Sequence, residues 1–339
     1  MKLKRYEGNP IISPNPKNEW ESHVTTNPGA WYDEDAKEVK LLYRAAGPDP
    51  EHRIYFGLAS SKNGYDFERL SDEPVFSPSA DGFDAGCVED PRIVKINGYF
   101  YITYACRPFP PGQYWKKPED KTYLPPECPS DFPRILRENA TSTGLLLTKD
   151  FKNFIRVGRL TDPGIDDRDV VLFPEKIGGK YVMIHRPMEW AGQEYGTEFP
   201  AMWVSTGDDL LSLRSGRLLA KGKYDWENGK IGANTPPVKT EHGWLILYHA
   251  RGKDTHYRLG AMLLGPNDPA KVLHRTPDWL IEPEADYELK GPYNGCIFPC
   301  GKVVIDDTLF VYYGAADKYV ALVTCSLEEL LDYLMSCPA

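Results

Sequence analysis

Five segments of this chain repeat one pattern, and that repetition limits the fold more than any other feature. Each is a β-rich run ending in small or polar residues: 39–45, 99–105, 180–186, 244–250 and 308–314. Four of the five follow a turn signal within a few residues (Asn97-Gly98, Gly178-Gly179, His242-Gly243 and Asp306-Asp307), as hairpin strands do. A second run follows each, beginning at Gly57, Gly144, Ala201, Gly260 and Ala321, and these starts are 87, 57, 59 and 61 residues apart. The first interval is longer because it contains a Pro-rich insertion, about 107–140, whose removal restores the period. Units of roughly 60 residues made of short strands suit four-stranded antiparallel blades stacked radially, which protects their edges. The sequence therefore predicts one all-β domain over 1–339, a five-bladed β-propeller carrying a Pro-rich insertion. A short C-terminal helix is expected after Ser326, which supplies an N-cap hydroxyl with Glu329 at the third helical position.

Composition narrows the function. Lys and Arg number 40 against 49 Asp and Glu, a net charge of −9, which argues against a nucleic-acid binder. Apolar residues at 41% and charged residues at 26% are the mix of a folded globular chain. The N-terminus has a basic start with no apolar run behind it, so no secretory signal is read there, and no apolar run reaches membrane-spanning length. Seven cysteines without a CxxC pair suit reduced thiols. The expected location is cytoplasmic, with no membrane partner, no metal site and no cofactor; association into a homo-oligomer is left open.

In a propeller, equivalent ends of the inner strands surround one central pocket, so the repeat register nominates site residues. At those ends stand Arg44, Arg186, His249 and, slightly later in the fifth unit, Asp317. The second repeat is preceded by Glu89-Asp90-Pro91-Arg92, where Asp90 reads either as turn chemistry or as a catalytic acid. Carboxylates and arginines in a chain with eight Trp and 21 Tyr favour ring-shaped polar ligands such as sugars. Aromatic faces take the apolar side of a sugar ring and charged groups bind its hydroxyls.

Together these segments resemble glycoside hydrolase family 130, the mannoside phosphorylases and related β-mannosidases. The likeness runs through Asn27-Pro28-Gly29, Leu42-Tyr43-Arg44, Glu89-Asp90-Pro91-Arg92, Phe173-Pro174-Glu175-Lys176, His185-Arg186-Pro187, Lys230-Ile231-Gly232, Tyr248-His249, Tyr257-Arg258 and Tyr312 to Asp317, nearly the whole chain. The resemblance implies that Asp90 is the general acid, acting through a sugar hydroxyl. It places Asn27, Arg44, Glu89, Lys230 and Asp317 around the mannosyl unit, and Arg186, His249 and Tyr257 around phosphate. The implied reaction is inverting: phosphate as co-substrate attacks a β-mannoside to release α-mannose 1-phosphate and a shortened sugar.

Two positions depart from the family pattern. Some members carry Arg where this chain has Glu175, and a carboxylate there would repel phosphate unless Arg258 or Lys176 compensates. The alternative reading is an inverting β-mannosidase in which Glu175 or Glu227 activates water. Asn234 stands where Gly is expected, a residue that also tolerates left-handed backbone. The insertion, with Tyr114, Trp115 and Tyr123, is expected to border the pocket.

Overall fold

The computed structural model describes residues 1–339, apart from the side chains of residues 214 and 215. The chain is all-β with a short C-terminal helix, Leu327–Met335, whose first turn is capped by Ser326 Oγ accepting from the Glu329 amide at 3.0 Å. Its strands fall into five antiparallel four-strand units in chain order. Unit one is Val24–Asp33, Glu38–Ala46, Ile54–Ser61 and Glu68–Arg69. Unit two is Cys87–Ile96, Tyr99–Arg107, Ser142–Thr148 and Ile155–Arg159, joined to unit one only by the parallel bridge Ile54 to Cys87. Unit three is Asp167–Leu172, Tyr181–Pro187, Met202–Gly207 and Arg214–Ala220. In unit four the first strand is broken into Lys230–Ala233 and Val238–Thr240, followed by Gly243–Arg251, Tyr257–Leu264 and Val272–Arg275.

The fifth unit takes strands from both ends of the chain. Ile297–Ile305, Thr308–Ala315 and Tyr319–Ser326 are completed by Lys4–Arg5, which pairs with Val323 and Thr324. Opening the unit therefore requires the two termini to part.

One polar network recurs in the middle of four units. A buried Tyr on the second strand donates to a buried carboxylate from the segment before the first strand, and an Arg pairs with the same carboxylate. The sets are Tyr43 with Glu21 and Arg69, Tyr104 with Asp84 and Arg156, Tyr248 with Glu227 and Arg275, and Tyr313 with Glu288 and Arg5. In unit three His185 takes the Tyr position, its Nδ1 2.7 Å from Asp167 Oδ2 and its Nε2 2.9 Å from Ser205 Oγ. Tyr43, Tyr104 and Tyr248 each lie over a glycine of the third strand, Gly57, Gly144 and Gly260, where a Cβ would collide with the phenol ring. Buried polar groups partnered in this way fix each sheet's register rather than merely tolerating burial.

Between units the packing is apolar and sequential. Leu42, Phe56 and Leu58 of unit one meet Ile102 and Tyr104 of unit two. Val94 and Leu145 of unit two meet Leu172 and Met183 of unit three, and Val171 and Ile184 of unit three meet Ile246 and Met262 of unit four. Leu245 and Leu247 of unit four meet Leu309 and Val311 of unit five. Phe310, Tyr312 and Leu322 of unit five return to Leu41 and Tyr43 of unit one.

Candidate active site

The first strands of units one, two and three share an irregularity that creates the site. In each, two residues oppose one residue of the second strand: Asn27-Pro28 opposite Tyr43, Asp90-Pro91 opposite Tyr104, and Asp169-Val170 opposite His185. The leading residue of each bulge has left-handed backbone, φ 45° at Asn27, 53° at Asp90 and 58° at Asp169. Asn and Asp bear that conformation more readily than other non-Gly residues, and β-bulges re-aim side chains beside active sites. A fourth polar group comes from the three-residue loop 316–318 between the paired Ala315 and Tyr319, where Ala316 and Asp317 have φ 49° and 54°. The fit is tight: a Cβ on Gly314 would run into Asn27 Oδ1, so unit five closes on unit one only with glycine there.

These side chains line a cavity of about 460 Å³. Asn27, Arg44, Glu89, Asp90 and Asp317 form one part of its wall, and Arg168, Asp169, Arg186, Lys230 and Tyr257 another. With Arg107 included, five cations stand against four carboxylates in a chain that is acidic as a whole. Arg44 Nη1 lies 3.1 Å from Glu89 Oε2 and 3.3 Å from Asp90 Oδ1, and Asn27 Nδ2 donates to Asp90 Oδ1 at 2.8 Å. Arg92, almost fully buried, donates to the Asp90 carbonyl at 3.0 Å and to the Asn234 carbonyl at 2.8 Å, pinning the strained turn from behind. Asn234 Nδ2 in turn donates to the Pro299 carbonyl at 2.7 Å, so the departure from glycine makes a bridge between units.

The two neighbouring carboxyls are driven apart. Burial raises the pKa of Asp90, Arg44 opposes it, and Glu89 raises it further, leaving it above the ordinary Asp value. Burial also disfavours the charged form of Glu89, but Arg44 and Arg107 outweigh it and hold that group below its ordinary value. One carboxyl is thus poised to hold a proton beside another that stays ionised, the arrangement that separates an acid from its electrostatic companion.

On the other part of the wall, Asp169 Oδ2 lies 2.7 Å from Arg186 Nε and 3.4 Å from His249 Nε2. Burial opposes its charge, yet Arg186 and, further off, Arg92 hold it far below the usual carboxylate range. Lys230, packed over the Tyr257 ring at 5.3 Å, is lowered to about 7 by burial and by the nearby Arg186 and Arg168. Arg168 is held by both oxygens of Asp166, at 2.8 and 2.6 Å.

Of the residues nominated from sequence, Asn27, Arg44, Glu89, Asp90, Arg186, Lys230, Tyr257 and Asp317 meet in this cavity. His249 does not line it: its strand pairs Gly232 with His249, which buries the imidazole completely behind Asp169. Burial first, then Arg186 and Lys230, lower its pKa to about 3, so it is neutral. Glu175 is also outside the cavity, exposed and paired with Lys239 Nζ at 2.6 Å. Arg258 is engaged by Asp254 and Glu282, and Lys176 sits over Tyr181, so neither faces the cations.

Glu227 is the clearest correction. It is fully buried as the carboxylate of unit four's network, accepting from Tyr248 Oη at 2.6 Å and from the amides of Lys223 and Tyr224 at 2.8 and 3.0 Å, with Arg275 Nη2 at 2.7 Å. Its place is structural because Tyr248, Arg275 and Glu227 repeat what Tyr43, Arg69 and Glu21 do in unit one. Glu227→Ala is expected to lower stability by about 3–5 kcal/mol by leaving Arg275 buried without its partner. Chemical denaturation checks this; an unchanged unfolding midpoint with lost activity would instead mark Glu227 as a base.

Sequence reasoning missed Asp169, Arg168, Arg92 and Arg107. The signal was present in the repeat: Asp169 occupies the bulge position of Asn27 and Asp90, with an Arg before it, but no proline follows to advertise it. The insertion does border the cavity: Pro111 and Tyr114 line it, and Tyr114 Oη donates to Asp317 Oδ2 at 2.6 Å.

An all-β scaffold thus carries a polar cavity in which neighbouring carboxyls face a cluster of cations. Glycoside hydrolase family 130, described as beta-1,4-mannooligosaccharide phosphorylase, matches residues 2–114 and 136–336, and the chain belongs to that enzyme family. It is 35% identical over 336 residues to a 1,2-beta-oligomannan phosphorylase of Thermoanaerobacter sp. (strain X514), covering 97% of this chain and 99% of that one. It is 32% identical over 281 residues to a beta-1,2-mannobiose phosphorylase of Listeria innocua serovar 6a, covering 83% of this chain and 68% of that one. The solved structure of the beta-1,2-mannobiose phosphorylase from Listeria innocua, in complex with beta-1,2-mannobiose, superposes with a TM-score of 0.80 at 27% identity, covering 99% of this chain and 100% of that one.

Proposed function

We propose that this protein is an inverting phosphorylase of β-1,2-linked mannosides, and that its five units are the blades of a β-propeller around the cavity. The cyclic order of apolar packing, from unit one through unit five and back, supports the propeller. The observation that carries the activity is the division of the cavity: a carboxyl disposed to hold a proton in unit two, and an Arg168, Arg186 and Lys230 cluster from units three and four. The names of the relatives support phosphorolysis with β-1,2 linkage.

In this reading the mannosyl unit is held by Asn27, Arg44, Lys230 and Asp317. Asp90 gives its proton through a sugar hydroxyl to the leaving oxygen, and Glu89 remains charged beside it. Phosphate, oriented by Arg168, Arg186 and Tyr257, attacks the anomeric carbon from the opposite face. The C–O bond to the leaving sugar breaks as the C–O bond to phosphate forms, giving α-mannose 1-phosphate and a shortened sugar. Arginine suits the anion because its planar fork meets two phosphate oxygens at once. Asp169 keeps Arg186 oriented, and His249 backs Asp169 as a neutral ring. A cytoplasmic location accords with this reading, since it retains the sugar phosphate.

Hydrolysis is not favoured. Both candidate bases, Glu175 and Glu227, lie outside the cavity, and of the carboxylates inside it Glu89, Asp90 and Asp169 contact cations while Asp317 accepts from Tyr114. The test is product analysis with β-1,2-, β-1,3- and β-1,4-linked mannobiose, each with and without inorganic phosphate. Mannose 1-phosphate from the β-1,2 disaccharide only when phosphate is present is the expected outcome. Free mannose at equal rates in both conditions would make the protein a hydrolase.

A further inference from the structure

Beside the catalytic cavity lies a second, larger cleft of about 790 Å³, a size within the range of ligand sites. Its lining combines three aromatic side chains, Trp20, Tyr55 and Tyr123, with five carboxylates (Glu19, Asp49, Glu51, Asp72 and Glu73) against two cations, Lys17 and Arg53, the latter paired with Glu51 at 2.5 Å. Trp20 is held in place: its Nε1 donates to the Asp72 carbonyl at 2.7 Å and its ring meets Tyr55 edge-on at 6.4 Å. None of the proposed chemistry uses these residues.

The insertion joins the two spaces. Gly112 donates its amide to the Glu51 carbonyl at 2.9 Å, and Gln113 Nε2 reaches the carbonyls of Pro48 and Asp49 at 3.1 and 3.3 Å. Segment 111–114 is thereby laid on the loop that follows Arg44's strand. On one side of it, Pro111 and Tyr114 face the catalytic cavity. On the other, Tyr123 packs back on Gly112, its Cδ1 only 3.4 Å from where a Cβ would stand. Segment 111–114 is therefore where residues lining the cavity and residues lining the cleft come together. The family match stops at 114 and resumes at 136, so Tyr123 lies outside the stretches that match the family.

We propose that this cleft binds the distal sugar units of a β-mannooligosaccharide whose terminal mannosyl unit occupies the catalytic cavity. This rests on the phosphorylase reading and adds a chain-length preference to it. Aromatic faces with adjacent carboxylates match the two sides of a sugar ring, apolar C–H faces and equatorial or axial hydroxyls, whereas an anionic ligand would be repelled by Asp49, Glu51 and Asp72. The cleft would hold the leaving-group end, because it is built by unit one and the insertion, whereas the Arg168 and Arg186 cluster is carried by unit three.

Steady-state phosphorolysis of β-1,2-mannobiose and β-1,2-mannotetraose by the wild type, Tyr123→Ala and Tyr123→Phe tests this. Tyr123→Ala is expected to raise KM for the tetraose about fivefold to tenfold, the scale of one lost aromatic stacking contact, while kcat and KM for the disaccharide stay unchanged. Tyr123→Phe, which keeps the ring, is expected to retain most of the wild-type KM for the tetraose. Equal effects on both substrates, or none on either, overturn the cleft while leaving the phosphorylase reading intact. A wild type that converts no β-mannoside with phosphate overturns both.

Discussion

Replacing Asp90 by Asn is expected to lower kcat for natural β-mannosides about 10³-fold with little change in KM, within the range of general acid catalysis. The substitution removes the proton and little else: an amide oxygen still accepts from Asn27 Nδ2, and Arg44 keeps its contact with Glu89 at 3.1 Å. Because burial and Glu89 hold Asp90 above its ordinary value, the wild type carries the proton in the acid range and loses it as pH rises. The wild-type kcat should accordingly fall on the alkaline side through the Asp90 pKa. The variant should lack that limb and should regain rate with an aryl mannoside whose leaving group needs no proton. Measured pH profiles of both proteins decide the matter, and full turnover by Asp90→Asn would remove Asp90 from the mechanism.

The second large effect concerns phosphate. Arg168→Ala is expected to raise KM for phosphate about 10- to 100-fold, the scale of one or two charge-assisted hydrogen bonds, with KM for the mannoside nearly constant. Arg168 is the better test than Arg186, since Arg186 and Asp169 are both almost fully buried and removing Arg186 would strand that carboxylate, whereas Arg168 and its partner Asp166 are more exposed. Arg168→Lys should restore only part of the loss, because an ammonium lacks the fork geometry. The same cluster carries a pH signature. Lys230, lowered to about 7 by burial and by Arg186 and Arg168, loses its charge as pH rises past that value. KM for phosphate should therefore climb above neutrality in the wild type, and Lys230→Arg should suppress the climb. A phosphate KM indifferent to Arg168 would place the anion elsewhere.

Much of the scaffold was legible because its signals are local and repeated. Hairpin turns such as Asn97-Gly98 and strands such as Tyr99–Arg107 announce themselves by turn chemistry and β-branched or aromatic content. The Ser326 cap states where the last helix begins. Asp90 was marked locally by the proline after it, a turn signal within a strand pattern that Asn27-Pro28 shares, but its reading as the acid came from the resemblance of the Glu89-Asp90-Pro91-Arg92 segment.

Other functional groups lacked such marks. Asp169 performs the same bulge without proline, so only the register opposite His185 reveals it. Glu227 and Glu175 were indistinguishable from catalytic carboxylates along the chain, since a carboxylate's role depends on the partners that reach it. Glu227 meets Tyr248 and Arg275, 21 and 48 residues further on, and becomes a fixture of unit four. Glu175 meets Lys239 at the surface. His249 stands at a strand end equivalent to Arg44, yet pairing with Gly232 turns it under Asp169 and away from the cavity.

By itself, the sequence determined the five-unit period, the strand-rich character, the insertion and the residue types able to bind a sugar and an anion. These follow from short-range periodicity and turn preference, which act within a few residues. Only the tertiary structure decided which carboxyl is disposed to hold a proton, which cations line the cavity and which acids belong to the buried networks. Those outcomes depend on burial and on charges brought within a few ångströms from different units, as when Arg44 of unit one meets Glu89 and Asp90 of unit two. Electrostatic coupling is set by distance in space, and distance in space is what the folded arrangement of the five units supplies.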